Sequence, residues 1–159
     1  RPHMSNDRGV PRKTISLQAG ELTMPVASVN KMVESAKAEI DNISPEEAAR
    51  RATEEGALIV DIRDVREMQR DGAIPGAMHA PRGMLEFWVS PDSPYTKEIF
   101  GEDREFVLCC AGGMRSALSA KTLKDMGMEK ISHIETGFGG WRADEMPIES
   151  YEDWKASRG

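Results

Sequence analysis

Cysteine is scarce in this sequence: there are only two, and they are neighbours, Cys109 and Cys110. A framework of structural disulfides is not expected, because a bridge between adjacent cysteines would strain the chain outside ordinary disulfide geometry. Positive charge is also limited, with 21 Lys and Arg against 27 Asp and Glu and a net charge of −6. This balance argues against binding to nucleic acid or to anionic membranes, since both favour a basic surface.

Long apolar segments are absent too. No run approaches the roughly 20 residues of a membrane span, and the N-terminus lacks the apolar centre of a secretory signal. We therefore expect a cytoplasmic protein. The 159 residues suffice for one core and are few for two, which favours a single domain of α/β size.

Metal ligands with a recognisable spacing are also missing. The two cysteines, His79 and His133 do not have the spacing of zinc ligands, so we expect no metal and no other cofactor. His79 and His133 both lie in predicted strands, and we interpret them as structural residues. Trp88 and Trp141 are interpreted as parts of the core or of a pocket wall.

The N-terminal part of the chain falls into three segments. Residues 1–3 precede Met4 and are interpreted as a cloning remnant. Residues 4–24 are polar and show no sustained period, which predicts a flexible leader. Residues 25–42 are predicted to form an amphipathic helix that covers either its own domain or a dimer seam, although the repeat is short for a seam. Its apolar side chains recur at intervals of three and four residues: Val26, Val29, Val33, Ala36 and Ile40.

Between residues 43 and 148, short apolar runs alternate with helical patterns. Ser44-Pro45 has the features of a helix start, and the apolar run 57–60 has the length of a strand buried on both faces. Further strands are predicted at 77–80, 106–109 and 131–134, and further helices at 65–70, 82–89, 94–100 and 116–126. This alternation favours a mostly parallel sheet with helices on both faces, followed at 149–159 by a tail or a short helix.

Chemistry is expected directly after the strand 106–109, because ligands bind beyond the carboxyl ends of parallel strands. Cys110 begins a loop in which Gly112-Gly113 permits the backbone angles that turn successive N–H groups toward one point. The helix that Ser116 opens adds a partial positive charge, and Arg115 adds a full one. We therefore expect the Cys110 thiolate to be favoured over the thiol. Cys109, at the end of an apolar strand, is expected to be an inert small hydrophobe.

The segment Cys110-Ala111-Gly112-Gly113-Met114-Arg115-Ser116 resembles the active-site loop of rhodanese domains, in which the cysteine carries a persulfide. Three further segments agree in order and spacing: Val60-Asp61-Ile62-Arg63 with the family's D-x-R strand end, Ile74-Pro75-Gly76-Ala77 with its I-P-G-A turn, and Gly137-Phe138-Gly139-Gly140-Trp141 with its glycine-rich turn. Each motif is weak alone, and together they are strong. The resemblance covers roughly Ile43 to Ile148. At Ala73 the family often has a histidine, and this departure affects only the packing of the turn.

The resemblance implies a rhodanese-like three-layer fold with about five strands, and a sulfurtransferase of the thiosulfate type. Cys110 would take a sulfur from thiosulfate or a persulfide and pass it to cyanide, a thiol or a protein acceptor, with ping-pong kinetics. The amides of residues 111–116 would stabilise the persulfide anion. Arg115 would either orient the donor or fix the loop through an acidic partner. Asp61 and Arg63 are interpreted as charged residues that hold the strand end to the loop. The protein is expected to be a monomer or a weak homodimer.

Two other functions fit parts of the sequence. Cys109, Arg115 and Ser116 also satisfy the C-x5-R-S pattern of cysteine phosphatases. The alternative function is therefore a cysteine-dependent phosphatase or an arsenate reductase. Against this pattern, Leu108 stands where such phosphatases usually have histidine. Counted from Cys110, the loop has four residues before Arg115, which suits one sulfur atom better than a phosphate. A non-catalytic rhodanese-like binding module usually lacks the nucleophile, which Cys110 supplies here.

Overall fold

A five-stranded parallel sheet forms the centre of the structure, a computed structural model that describes residues 13–17 and 20–158. The strands are β1 (Lys13–Leu17), β2 (Gly20–Met24), β3 (Asp41–Ile43), β4 (Leu58–Asp61), β5 (Met78–His79), β6 (Phe106–Cys109) and β7 (Ile131–Ile134). The parallel sheet has the order β3-β7-β6-β4-β5, and β1 pairs with β2 separately. The α/β fold class predicted from the sequence is confirmed.

Seven α-helices occur in the described part of the chain, and none of them is long and apolar enough to cross a membrane. They are α1 (Val29–Lys37), α2 (Pro45–Glu54), α3 (Val65–Asp71), α4 (Leu85–Val89), α5 (Met114–Asp125), α6 (Gly137–Ala143) and α7 (Tyr151–Ser157). Where a helix was predicted at 94–100, the structure has a 3₁₀ turn over Glu98–Gly101. The side chains of Ser93 and Thr96 hydrogen-bond to the local backbone there, which competes with a regular helix.

The two cysteines pack in different apolar cores, one on each face of the sheet. Cys110, which directly follows β6, packs in the core that contains Leu123 of α5. Cys109, the last residue of β6, packs in the other core with Phe138 of α6. Successive side chains of a strand point to opposite faces, so this alternation separates the two thiols.

Part of the predicted leader over 4–24 has regular backbone structure. Lys13–Leu17 and Gly20–Met24 form an antiparallel pair, with Ile15 opposite Leu22 in the register. Residues 4–12 and 18–19 of the predicted leader lie outside the described residues, as do residues 1–3. Each strand has only two large apolar residues among its five, so no apolar run marks it. The pair depends on backbone hydrogen bonds that composition does not reveal.

The N-terminal helix is shorter than the predicted range 25–42. It spans Val29–Lys37, and the side chain of Ser28 accepts a hydrogen bond from the Lys31 N–H at its start. Residues 41 and 42 belong instead to β3, which pairs with β7, so the sheet begins before the predicted boundary at 43. Val33 and Ala36 pack against Ala117 of α5. This part of the apolar stripe therefore covers its own domain, whereas Val26 and Val29 of the predicted stripe are exposed.

The C-terminal helix α7 also packs on the domain. Trp154 is 6% exposed, contacts Met68 and Ala73, and donates its indole N–H to the Ala77 carbonyl at 2.8 Å. Ala73 exchanges two backbone hydrogen bonds of 2.9 Å with Glu149. The turn at the position of the missing histidine is therefore held by backbone pairing and by the α7 tryptophan.

Candidate active site

The Cys110 sulfur receives two backbone N–H groups of its own loop. Gly113 N lies 3.1 Å from Cys110 Sγ, and Ser116 N lies 3.3 Å from it. Cys110 is 1% exposed, so these amides act where water is largely excluded. Ser116 stands in the first turn of α5, whose N-terminus contributes a partial positive charge. This arrangement can stabilise negative charge on sulfur.

Two glycines make the loop geometry possible. Gly113 has φ +100°, and a Cβ there would lie 2.0 Å from the Glu135 carbonyl oxygen. Gly137 has φ +66°, and a Cβ there would lie 2.5 Å from the Ala111 carbonyl oxygen. Both positions therefore require glycine.

The first turn of α6 holds the loop from outside. Phe138 N donates to the Cys110 carbonyl at 2.7 Å, and Gly139 N donates to the Ala111 carbonyl at 3.0 Å. Because these carbonyls are held against α6, the N–H groups that follow are free to face the sulfur. The glycine-rich segment 137–141 thus fixes the Cys110 loop by backbone contact.

A cavity of about 410 Å³ adjoins Cys110. Its wall comes from the loop, from α1 and α5, and from the turn after β5, and consists of Val29, Arg82, Cys110, Gly112, Met114, Arg115 and Leu118. Sequence reasoning missed Arg82 and Val29. Arg82 could have been found, because it follows the predicted strand 77–80 at the same sheet edge as Cys110. Val29 could not, because it lies on α1, outside the segments that resemble the family.

The Arg115 side chain is engaged by Glu67. Its two terminal nitrogens donate to the two Glu67 carboxylate oxygens at 2.8 and 2.9 Å. The Arg115 guanidinium lowers the pKa of Glu67, and Glu67 in turn raises the pKa of Arg115. Of the two predicted roles of Arg115, the geometry favours fixing the loop through an acidic partner. Sequence reasoning did not identify Glu67 as a site residue. Asp64 and Glu67 form a capping box at the start of α3, and their spacing was visible in the sequence, but it does not indicate the contact with Arg115.

Asp61 and Arg63 form a buried ion pair behind the loop. Arg63 Nη2 donates to Asp61 Oδ2 at 2.7 Å and to the Gly72 carbonyl at 2.8 Å. The guanidinium also lies 3.9 Å from the centre of the Phe138 ring. The pair therefore joins the end of β4 to the end of α3 and to α6. Neither side chain lines the cavity at Cys110.

Cys109 is placed unfavourably for a nucleophile. It is 0% exposed, and burial raises the pKa of its thiol well above the ordinary value, with the negative charge of Asp61 as a second cause. The buried position keeps Cys109 in the thiol form, which is a poor nucleophile. The C-x5-R-S pattern counted from Cys109 thus begins at a thiol that does not line the cavity.

His133, interpreted from the sequence as structural, is linked to Cys110 through one hydroxyl. Ser116 Oγ lies 3.4 Å from Cys110 Sγ and 2.8 Å from His133 Nδ1, and His133 Nε2 lies 2.7 Å from Asn42 Oδ1. The pKa of His133 is lowered from 6.5 to about 4, chiefly by burial and also by the charge of Lys37, while Asp41 acts in the opposite direction.

The other aromatic residues singled out in the sequence lie away from the cavity wall. His79 Nε2 is 2.7 Å from the Arg63 carbonyl oxygen. Trp141 is buried and donates its indole N–H to the Pro147 carbonyl, and Trp88 packs against the core that contains Cys110. Within residues 13–17 and 20–158, no three His, Cys, Asp or Glu side chains are arranged to hold a metal ion.

Residues 44–144 match the family described as the rhodanese-like domain. The thiosulfate sulfurtransferase GlpE of Glaesserella parasuis is 27% identical over 107 residues, which cover 67% of this chain and 91% of that protein. The "Putative sulfur carrier protein YrkF" of Bacillus subtilis is 28% identical over 89 residues, which cover 56% of this chain and 43% of that longer protein. A solved structure from Rhodopseudomonas palustris, described as a protein of unknown function and possible tyrosine phosphatase, is 48% identical with a TM-score of 0.75. That alignment covers 78% of this chain and 96% of the other.

Proposed function

The chain belongs to the rhodanese-like domain family, and from that premise we propose that it is a sulfurtransferase in which Cys110 carries a sulfane sulfur. The observation that carries the proposal is the position of Cys110 Sγ, which receives N–H groups from Gly113 and Ser116 beside a cavity. Converging amides stabilise an anionic sulfur as an oxyanion hole stabilises an oxyanion. Relatives named sulfurtransferases support the same function.

The first half-reaction loads Cys110. Its thiolate attacks the outer sulfur of thiosulfate, a bond forms between the two sulfur atoms, and the bond between the two thiosulfate sulfurs breaks. Sulfite leaves with the electron pair of that bond. A persulfide donor would react in the same way and release a thiolate.

The second half-reaction unloads the persulfide. A thiolate, from a small molecule or a protein, or cyanide attacks the outer sulfur, and Cys110 leaves as a thiolate with the bonding electrons. The free enzyme is thereby restored. Because the first product departs before the acceptor reacts, we expect ping-pong kinetics.

Arg82 is the cation that we assign to an anionic donor. Thiosulfate carries two negative charges, and Arg115 is already paired with Glu67. Arg82 lines the cavity, and its side chain has no hydrogen bond or ion pair with the residues described. The remaining wall is largely apolar, with Val29, Met114 and Leu118, which suits an acceptor with an organic body.

The test of this function is the mass of the protein after exposure to thiosulfate. The reduced protein should gain one sulfur atom, and cyanide or dithiothreitol should remove it. Cys109→Ser and Cys110→Ser are a matched pair, since each replaces one of two adjacent buried thiols. Loading should survive in the first variant and disappear in the second. Loading that persists in folded Cys110→Ser would contradict the proposal.

Phosphate-ester hydrolysis is the second candidate function. It is favoured by the description of the Rhodopseudomonas palustris structure as a possible tyrosine phosphatase. The geometry of this chain gives less support, because Cys109, where the phosphatase pattern begins, is buried in the core opposite Cys110. Turnover of an aryl phosphate without any sulfur adduct would favour the phosphatase. Neither activity in a well-folded protein would favour a non-catalytic binding module.

A further inference from the structure

A chain of hydrogen-bonding groups leads from Cys110 into the sheet through residues that do not line the cavity. It passes through the Ser116 hydroxyl and both ring nitrogens of His133 to the Asn42 side-chain amide, with distances of 3.4, 2.8 and 2.7 Å. Ser116 and His133 are both 0% exposed. The hydroxyl and the ring therefore depend on each other, with no bulk water to replace either partner.

The direction of each hydrogen bond follows from Asn42. Its amide nitrogen donates to the carbonyls of Lys37 and Ile40 at 2.9 and 3.2 Å, so its oxygen faces His133. An amide oxygen only accepts, and His133 Nε2 must therefore donate to it. In the neutral ring the other nitrogen, Nδ1, carries no proton and accepts. The Ser116 hydroxyl consequently donates to His133 Nδ1.

The sulfur is left facing the lone pairs of the Ser116 oxygen. A Cys110 thiol can donate its proton to that oxygen, whereas a thiolate receives no hydrogen bond from it. We propose that His133 is a positioning residue which, by accepting the Ser116 hydroxyl proton, disfavours negative charge on Cys110 Sγ. The Gly113 and Ser116 amides act in the opposite direction, so the balance between these two sets of groups determines the ionisation of the thiol.

This inference rests on the proposed sulfur transfer in one respect, which is its consequence for the loaded enzyme. In the free thiolate the negative charge lies on Sγ, next to the Ser116 oxygen. In the persulfide Sγ is a neutral bridging atom, and the charge lies on the outer sulfur, about 2 Å farther along the new bond. His133 therefore opposes the anion of the free enzyme more than the anion of the loaded enzyme. The difference favours retention of the bound sulfur.

Charged groups lie near both ends of the hydrogen-bonded series from Cys110 to Asn42, and they belong to several elements. Lys37 of α1 and Asp41 of β3 face His133 and act in opposite directions on its pKa. Near Cys110 the charged groups are the Arg115–Glu67 pair, the Asp61–Arg63 pair and the cavity residue Arg82. The experiment leaves all of these groups in place, so their contributions cancel between variants.

The experiment measures how fast iodoacetamide alkylates Cys110 at each pH, in a Cys109→Ser background with a single thiol. Ser116→Ala should lower the midpoint of the rate profile by about half a pH unit, because the thiol loses its acceptor. His133→Leu should lower it by about one unit, because the released hydroxyl can then donate to the thiolate. The double variant should match Ser116→Ala alone, since His133 acts through that hydroxyl.

Two further variants complete the design. Ser119→Ala removes a buried serine of the same helix that does not line the cavity at Cys110, and it should leave the midpoint unchanged. Asn42→Ala keeps the histidine but removes the acceptor of Nε2–H. The ring can then place its proton on Nδ1 and release the hydroxyl, and the midpoint should fall even if His133→Leu fails to fold.

A midpoint that stays constant or rises in Ser116→Ala would overturn the proposal, because the hydroxyl would then be stabilising the anion or doing nothing to it. A shift in His133→Leu that persists in the double variant would also overturn it. Alkylation needs no sulfur donor, so this result stands apart from the function. If wild-type protein fails to load sulfur, only the proposed function is contradicted.

Discussion

Arg115 and Glu67 stand 48 residues apart and form a bidentate ion pair, in which Arg115 Nη1 and Nη2 donate to the two Glu67 oxygens at 2.8 and 2.9 Å. Glu67 also accepts the Asp64 N–H at the start of α3. The pair thus ties the first turn of α5, which carries the Ser116 amide, to the first turn of α3. It restrains the loop in addition to the backbone contacts from α6.

We expect Arg115→Ala and Glu67→Ala to slow the loading of Cys110 by thiosulfate to a similar extent, roughly tenfold, because each removes the same charged hydrogen bonds. The double variant should be no slower than either single variant, since both act through one interaction. Rapid-quench measurement of the sulfur adduct gives the three rates. Normal loading in Glu67→Ala alongside slow loading in Arg115→Ala would show that Arg115 contacts the donor directly.

Arg82 is expected to govern the affinity for anionic donors. Arg82→Ala should raise KM for thiosulfate roughly fivefold, the effect of one exposed charge, and should leave alkylation of Cys110 by neutral iodoacetamide unchanged. Arg66→Ala is the matched control, because Arg66 is an exposed arginine that does not line the cavity. Equal KM values in wild type and Arg82→Ala would remove Arg82 from the donor site.

The centre of the parallel sheet was predictable because β4 and β6 are nearly continuous apolar runs with helical patterns between the strands. The predicted runs 106–109 and 131–134 coincide with β6 and β7. The pair of β1 and β2 was not predictable, since each strand has only two large apolar residues among polar ones and no apolar run marks it. The start of α5 at Met114 rather than at Ser116 reflects the left-handed Gly113, which ends the loop earlier than the sequence indicated.

The candidate site was predictable only where it is local in sequence. Cys110 and its glycines are contiguous, so their chemistry could be anticipated. Glu67 and His133 could not be assigned, because their partners are determined by which strands and helices are neighbours in space. His133 lies beside Leu108 in the register of β7 and β6, and no sequence pattern states that order.

Gly113 is expected to be essential to the loop. Gly113→Ala should reduce the free energy of unfolding by more than about 2 kcal/mol and abolish loading, because φ +100° is strained for alanine and the new Cβ would meet the Glu135 backbone. Gly76→Ala separates these two causes, since Gly76 has φ +81° with open space around it. It should cost only about 1 kcal/mol, the backbone contribution alone. Urea unfolding compares the two variants, and equal costs would mean that the contact with Glu135 is relieved.

His133 should make the folded protein sensitive to mild acid. The folded state lowers its pKa from 6.5 to about 4, so between these values the unfolded chain binds a proton on this ring that the folded protein does not. Unfolding then takes up a proton, and stability falls as pH decreases through this window. Full stabilisation is present above about pH 6.5, and at pH 4.5 the loss attributable to this ring should be roughly 2–3 kcal/mol.

The check compares urea unfolding of wild type and His133→Leu at pH 7 and at pH 4.5. Leucine fills a similar volume but cannot titrate, so the variant should lose less stability on acidification, by that same 2–3 kcal/mol or so. Carboxylates such as Glu67 titrate in both proteins, and their contribution cancels in the comparison. The variant will be less stable than wild type at pH 7, because Ser116 and Asn42 lose a partner. The quantity that tests the prediction is how the difference in free energy of unfolding between the two proteins changes with pH. If the difference is the same at both pH values, the folded protein does not exclude the proton from His133, and the hydrogen-bond direction inferred for Ser116 loses its basis.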